Sequence, residues 1–95
     1  ANELSAYYGS VYRILDAAWA KPPGVSGLAT EVRIRIARNG GILKRELVGP
    51  SGSQAMDDSV MAAVRSVATF PRLPDAISGA YIDVTIKFES TGLSM

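Results

Sequence analysis

Two residue types are missing from this 95-residue chain: it contains no cysteine and no histidine. Without cysteine there is no disulfide framework and no thiolate metal site. That absence does not fix a redox compartment, but it suits passage through an oxidising one. Without histidine the commonest metal ligand and general base is gone as well. Charge of either sign is scarce in excess, because 10 basic residues against 9 acidic ones leave a net +1. A balance so close to neutral supplies no long-range steering toward nucleic acid or anionic lipid. Long apolar runs are lacking too, and the longest fall far short of the ~18 residues that a membrane span needs.

The remaining composition is that of an ordinary globular protein, 47% hydrophobic and 20% charged. The length predicts one domain over residues 1–95. A chain of this size hides roughly 60–65% of its unfolded surface, so its core has little to spare. It begins without Met, at Ala1-Asn2-Glu3. A mature protein or an excised domain from which an anchor has been removed would begin this way.

Hydrophobic periodicity predicts five elements. Residues 3–20 read as a helix, with Leu4, Tyr8, Val11, Leu15 and Ala18 as its apolar stripe. Asn2 is the expected N-cap, and Glu3 suits the positive end of the helix dipole. Pro22-Pro23-Gly24 ends that helix, and Trp19 reads as a core plug at its end. Residues 30–38 alternate, with Thr30, Val32, Ile34 and Ile36 on one face and Glu31, Arg33 and Arg35 on the other. Asn39-Gly40 supplies positive φ angles for a tight hairpin, to which Gly41 adds a bulge. The return strand, about 42–48, has broken alternation around Lys44-Arg45-Glu46, as expected of a bulged edge strand protected by charge.

Gly49-Pro50-Ser51-Gly52 breaks the chain, and Ser53 caps a second helix with Met56, Val60, Ala63, Val64 and Val67 as its buried stripe. Asp57 and Asp58 sit near its favourable N-terminal end. Residues 71–79 form a proline-stiffened loop. Residues 80–88 alternate again, with Ile82, Val84, Ile86 and Phe88 inward and Tyr81, Asp83, Thr85 and Lys87 outward. Residues 89–95 read as a frayed, flexible tail.

The predicted fold class is α+β, a two-layer αββαβ arrangement. Strands one and two form an antiparallel hairpin. The second helix carries the chain back across the sheet, so strand three is antiparallel to strand one. The expectation is a three-stranded antiparallel sheet in order 2-1-3 with both helices on its single apolar face.

No catalytic constellation is present. Gly40-Gly41 and Gly49-Pro50-Ser51-Gly52 lack the spacing and the following Lys of a phosphate loop. Asp57 and Asp58 are adjacent on a helix and diverge by about 100°, which does not make a metal site. Ser51, Ser53 and Ser59 have no activating partner. No enzyme activity, metal or cofactor is expected. Arg33, Arg35, Tyr81 and Lys87 share the open face, as in a single-stranded RNA platform. Glu31, Asp83 and Glu89 lie among them, however, so a solvated face of ion pairs is the expectation and nucleic acid is not. The outer edge of strand three, roughly Tyr81–Phe88, should be unpaired unless the tail or a second copy covers it. Such an edge can accept an incoming peptide strand.

The order of motifs resembles a known family. Trp19-Ala20-Lys21-Pro22 is followed by Val32-Arg33-Ile34-Arg35-Ile36 and Asn39-Gly40-Gly41. Then come Val48-Gly49-Pro50-Ser51-Gly52, Asp57 leading into Met61-Ala62-Ala63-Val64, and Phe70-Pro71-Arg72-Leu73-Pro74. Over about residues 7–88 the chain is similar to the C-terminal domain of TonB- and TolA-type envelope energy transducers. Pro50 and Asn39 depart from the usual serine and acidic residue, and both still allow a turn. The resemblance implies a periplasmic domain tethered to an inner-membrane helix and its proton-driven motor complex. It implies recruitment of an outer-membrane or periplasmic partner by strand addition at the third strand, with Tyr81, Asp83, Thr85 and Lys87 as specificity positions and Arg72 at the rim. A static envelope scaffold, a strand-exchanged homodimer and a single-stranded nucleic-acid binder are the alternatives.

Overall fold

The computed structural model describes residues 3–94. Its elements run α1 (Glu3–Ala18), β1 (Ala29–Ala37), β2 (Ile42–Gly49), α2 (Gln54–Ser66), β3 (Tyr81–Glu89) and β4 (Gly92–Ser94). The antiparallel sheet has the order β2-β1-β3-β4. The expected 2-1-3 order is present, with β1 at its centre. The difference is the fourth strand: Gly92–Ser94 pairs with Lys87–Glu89, where the sequence reads as a frayed tail. The expected N-cap at Asn2 lies outside the described residues.

Both helices cover one sheet face. Val32, Ile34 and Ile36 of β1 and Val84, Ile86 and Phe88 of β3 are buried beneath them. From α2, Met56, Val60, Ala63 and Val64 enter the same core, and Val67 follows just past the helix end. Trp19 plugs the end of α1 as expected: its ring meets Phe88 edge-on at 5.3 Å, and its indole N–H donates to Ser59 Oγ at 3.1 Å. The α1 stripe differs in phase. Tyr7, Val11 and Leu15 are buried, whereas Leu4 is exposed and Tyr8 only half-buried. Two adjacent tyrosines offer the sheet nearly equal apolar area, and the docking angle of the helix chooses between them. The hydroxyl of Tyr7 donates to the Pro71 carbonyl at 2.8 Å, and burial pushes its pKa up to about 12.

β2 is the bulged edge strand that its broken alternation predicts. Its register against β1 shifts twice, placing Leu43 and Val48 outside the pairing. The shift turns Arg45 onto the helix face, opposite Ile34. There its guanidinium donates to the carbonyls of Val64 and Val67 at 3.2 and 2.9 Å, at the C-terminal end of α2. A cation at that end also opposes the negative pole of the helix dipole.

The β1–β2 turn is wider than a two-residue hairpin. Only Gly40 takes a positive φ, of 92°, and Asn39 does not. Asn39 contributes its side-chain oxygen instead, accepting from Gly41 N at 2.9 Å. This turn locks onto the loop that precedes β3. Phe70 N donates to Gly40 O, Leu73 N to Arg38 O, and Arg38 N to Ala80 O. The Arg38 guanidinium adds bonds to the carbonyls of Gly79, Pro74 and Ile77. The start of β3 is therefore fixed by the far end of β1.

Candidate functional site

The outer edge of β3 is the candidate site, and the backbone decides which of its groups face outward. Arg38 N donates to Ala80 O, so the Ala80 carbonyl points toward β1. Backbone groups of successive strand residues point to opposite sides. Those of Ile82, Val84 and Ile86 therefore turn toward β1, and those of Tyr81, Asp83 and Thr85 turn away. The other end of β3 agrees. Glu89 pairs with Gly92 across the two residues Ser90 and Thr91, and residues flanking a two-residue turn exchange hydrogen bonds. Glu89, and with it Lys87 and Thr85, then faces the β4 side.

β4 occupies the end of this edge, opposite Lys87, Phe88 and Glu89. The expectation of a free edge out to Phe88 is corrected accordingly. Among the described residues, no strand pairs with the outer side of Tyr81–Ile86. A short strand held by few bonds covers the edge only at the turn that delivers it. Its turn is tied to the end of α1, where Lys21 Nζ donates to the Ser90 carbonyl at 3.2 Å and sits 5.5 Å over the Trp19 ring. A cleft of about 330 Å³ lies between α1 and this hairpin, lined by Tyr12, Arg13, Asp16, Lys21, Thr91, Gly92 and Leu93. The Tyr12 hydroxyl is buried and has no hydrogen-bond partner among the described residues.

Four of the sequence-selected residues stand together on the open face of β3. Tyr81 is 44% exposed, and the Arg35 guanidinium lies 4.1 Å from its ring centre. The same guanidinium holds Asp83 by two bonds, of 2.9 and 3.1 Å, and so keeps the Asp83 carboxyl below the usual carboxylate range. Thr85 sits opposite Arg33. Lys87 pairs with Glu89 at 3.6 Å, within the stretch that β4 covers. Arg72 is not brought to that row. It lies in the 71–80 loop, highly exposed, and its ion pair is with Asp75 at 3.5 Å.

The cations of the open face are matched by acids, Arg33 with Glu46, Arg35 with Asp83, Lys44 with Glu46 and Lys87 with Glu89. Exposed pairs of this kind contribute little stability, yet they leave no cationic track for a phosphate backbone. Among the described residues no group of three acidic side chains is placed to hold a metal. No helix among them is long and apolar enough to cross a membrane.

Sequence reasoning missed Arg38 and Lys21 as organisers of this edge, and Arg45 as the tie between β2 and α2. Each reads locally as a surface cation, and only the segments that meet in space supply the carbonyls they bind. Lys21 alone carries a sequence signal, from its place between Trp19 and Pro22.

A two-layer α+β domain whose β3 edge is partly open is thus the class that fold and site define. The sequence model of the TonB C-terminal family matches residues 4–88, and the chain belongs to that family. Among solved structures it is similar to TolAIII in the solution NMR structure of TolAIII bound to a peptide from the N-terminus of TolB. The TM-score is 0.72 at 24% identity, covering 95% of this chain and 78% of that one, a likeness of fold. Comparison with curated protein sequences found no match.

Proposed function

We propose that residues 1–95 form one non-enzymatic domain that binds a partner protein by strand addition at the β3 edge. In this reading it is the periplasmic end of a TonB/TolA-like envelope energy transducer. An inner-membrane anchor elsewhere in the protein would couple it to a motor driven by the proton-motive force. The partner is an outer-membrane or periplasmic protein with an extended segment, as TolAIII binds a peptide from TolB. The observation that carries this reading is the edge itself, found in a member of the TonB C-terminal family. Tyr81, Asp83 and Thr85 present their backbone N–H and C=O groups outward there, and main-chain bonds of that kind give strand addition its affinity. Tyr81, Asp83, Thr85 and Lys87 would then set specificity on the open face, with Arg72 at the rim.

The test uses proline as a donor knockout. Thr85→Pro removes an outward N–H and spares the β1 pairing, so the domain should stay folded. Binding of a TolB N-terminal peptide, measured by titration calorimetry, should weaken at least ~tenfold, the loss that follows from about 1.4 kcal/mol. Arg33→Pro, in the doubly paired central strand, should unfold the domain. Unchanged binding by folded Thr85→Pro would rule out strand addition at this edge. Protection of the edge that rises with protein concentration, without peptide, would assign it to a strand-exchanged homodimer instead.

A further inference from the structure

Helix α1 meets β4 at the covered end of the β3 edge, and one row of its side chains repeats at nearly the spacing of a strand. Tyr12 shares the cleft with Thr91, Gly92 and Leu93 at the β4 end of the edge. Toward the helix N-terminus, the Tyr7 hydroxyl bonds Pro71, in the loop locked to the turn at Arg38–Gly40. That turn lies at the Tyr81 end of β3, because Ala37 pairs with Tyr81. The helix therefore runs along β3 from Tyr81 toward Glu89.

Leu4, Tyr8 and Tyr12 are four residues apart and form one row on the helix surface. Four helical residues rise about 6 Å. Two strand residues advance about 6.6 Å, and alternate residues share a face. The row and the helix-facing side chains of a strand on this edge are thus nearly commensurate. The chain's own β4 shows one such pairing. Leu93 stands opposite Phe88, whose side chain is buried on the helix face, and Leu93 packs against the core in the cleft beside Tyr12. Leu4, 39% exposed, and half-buried Tyr8 continue the row past the end of that contact.

We propose that α1 is the second wall of the partner site, with Tyr8 and Leu4 contacting alternate residues of the bound strand. This rests on the strand-addition reading above. The occupant is an extended peptide whose alternate side chains are apolar. Its residues opposite Ile86 and Val84 meet Tyr8 and then Leu4, as Leu93 meets Tyr12. Polar residues between them face the Tyr81–Thr85 side of the sheet.

Two probes of one composition separate this proposal from the reading beneath it. One is an octapeptide of alternating valine and serine, the other four valines followed by four serines. Each is fused ahead of residue 1 through the same flexible Gly/Ser linker, which gives an effective concentration near the millimolar range. Amide hydrogen exchange at Tyr81, Asp83 and Thr85 reports docking. The alternating probe should slow exchange there roughly tenfold more than the block probe, the factor expected of a contact worth about 1.4 kcal/mol. Leu4→Glu, at an exposed position, and Tyr8→Ser should each remove that preference, and Tyr8→Phe should retain it. Equal protection by both probes, or a preference that survives Leu4→Glu and Tyr8→Ser, would overturn the role of α1 and leave strand addition standing. Protection by neither probe would reject this edge as a strand acceptor, and the proposal with it.

Discussion

At Gly40 a single missing methyl group decides how two parts of the chain meet. A Cβ built there would lie 2.0 Å from the Phe70 carbonyl oxygen, and the residue holds φ at +92°. Gly40→Ala therefore combines an unfavourable backbone conformation with a backbone clash, and should cost more than ~2 kcal/mol. Urea denaturation checks this, and a loss under about 0.5 kcal/mol would show that the turn moves freely. Tyr12 presents the opposite case. Its hydroxyl is buried without a partner among the described residues, and an unsatisfied buried donor of this type costs ~1–3 kcal/mol. Tyr12→Phe removes the penalty and keeps the ring, so the domain should gain about 1 kcal/mol. Destabilisation of about that size in the same assay would reveal a hydrogen bond to water.

Between elements, Asp57 acts as a joint. Its carboxylate accepts from the hydroxyl of Thr30, the buried polar residue of β1, at 2.8 Å, and from Ser51 N at 3.0 Å. The sequence reading gave Asp57 a favourable place at a helix start, but its bonds tie three segments together. Burial opposes its charge, yet those bonds outweigh burial and hold its pKa below the ordinary value. The unfolded chain, near ~3.9, therefore takes up this proton first as pH falls. Stability from Asp57 is full above that value and is lost as pH drops through the lower folded pKa. Asp83 is depressed in the same direction by Arg35, at the surface. Asp57→Asn should lower stability at neutral pH and flatten the acid limb of a stability–pH curve. The limb contributed by Asp83 should shrink in 0.5 M salt (roughly a 4 Å screening length), and that of Asp57 much less. An acid limb unchanged by Asp57→Asn would remove the joint.

For the whole molecule, the sheet order implies a pattern in time. Ile82, Val84 and Ile86 present their amides to β1, while Tyr81, Asp83 and Thr85 present theirs outward, with no described strand beyond them. Native-state hydrogen exchange along β3 should thus alternate, slow at the first set and fast at the second. Lys87 and Glu89, facing β4, should fall between, because a three-residue strand opens locally. Uniform protection from Tyr81 to Glu89 would mean that the outer edge is paired in solution.

Periodicity in the sequence determined the two helices, three strands, their antiparallel order and the buried positions Trp19, Ile34, Val60, Val64 and Val84, all of them in the core. It could do so because period 3.6 and period 2 are local properties that survive without a partner. Tertiary structure alone decided the rest. Gly92-Leu93-Ser94 is too short to carry a period, and it becomes a strand because the edge of β3 is waiting after the turn. The rotation of α1 onto Tyr7 rather than Tyr8 depends on the sheet beneath it. Arg38 and Arg45 read as surface charges, and Asp57 as an acid at a helix start, because their partners, Gly79, Val64 and Thr30, are distant in sequence. The edge was legible as a strand with one polar face, but which donors turn outward follows from a single bond between Arg38 and Ala80. A hydrogen bond between remote segments has no local period, and so only the folded chain reveals it.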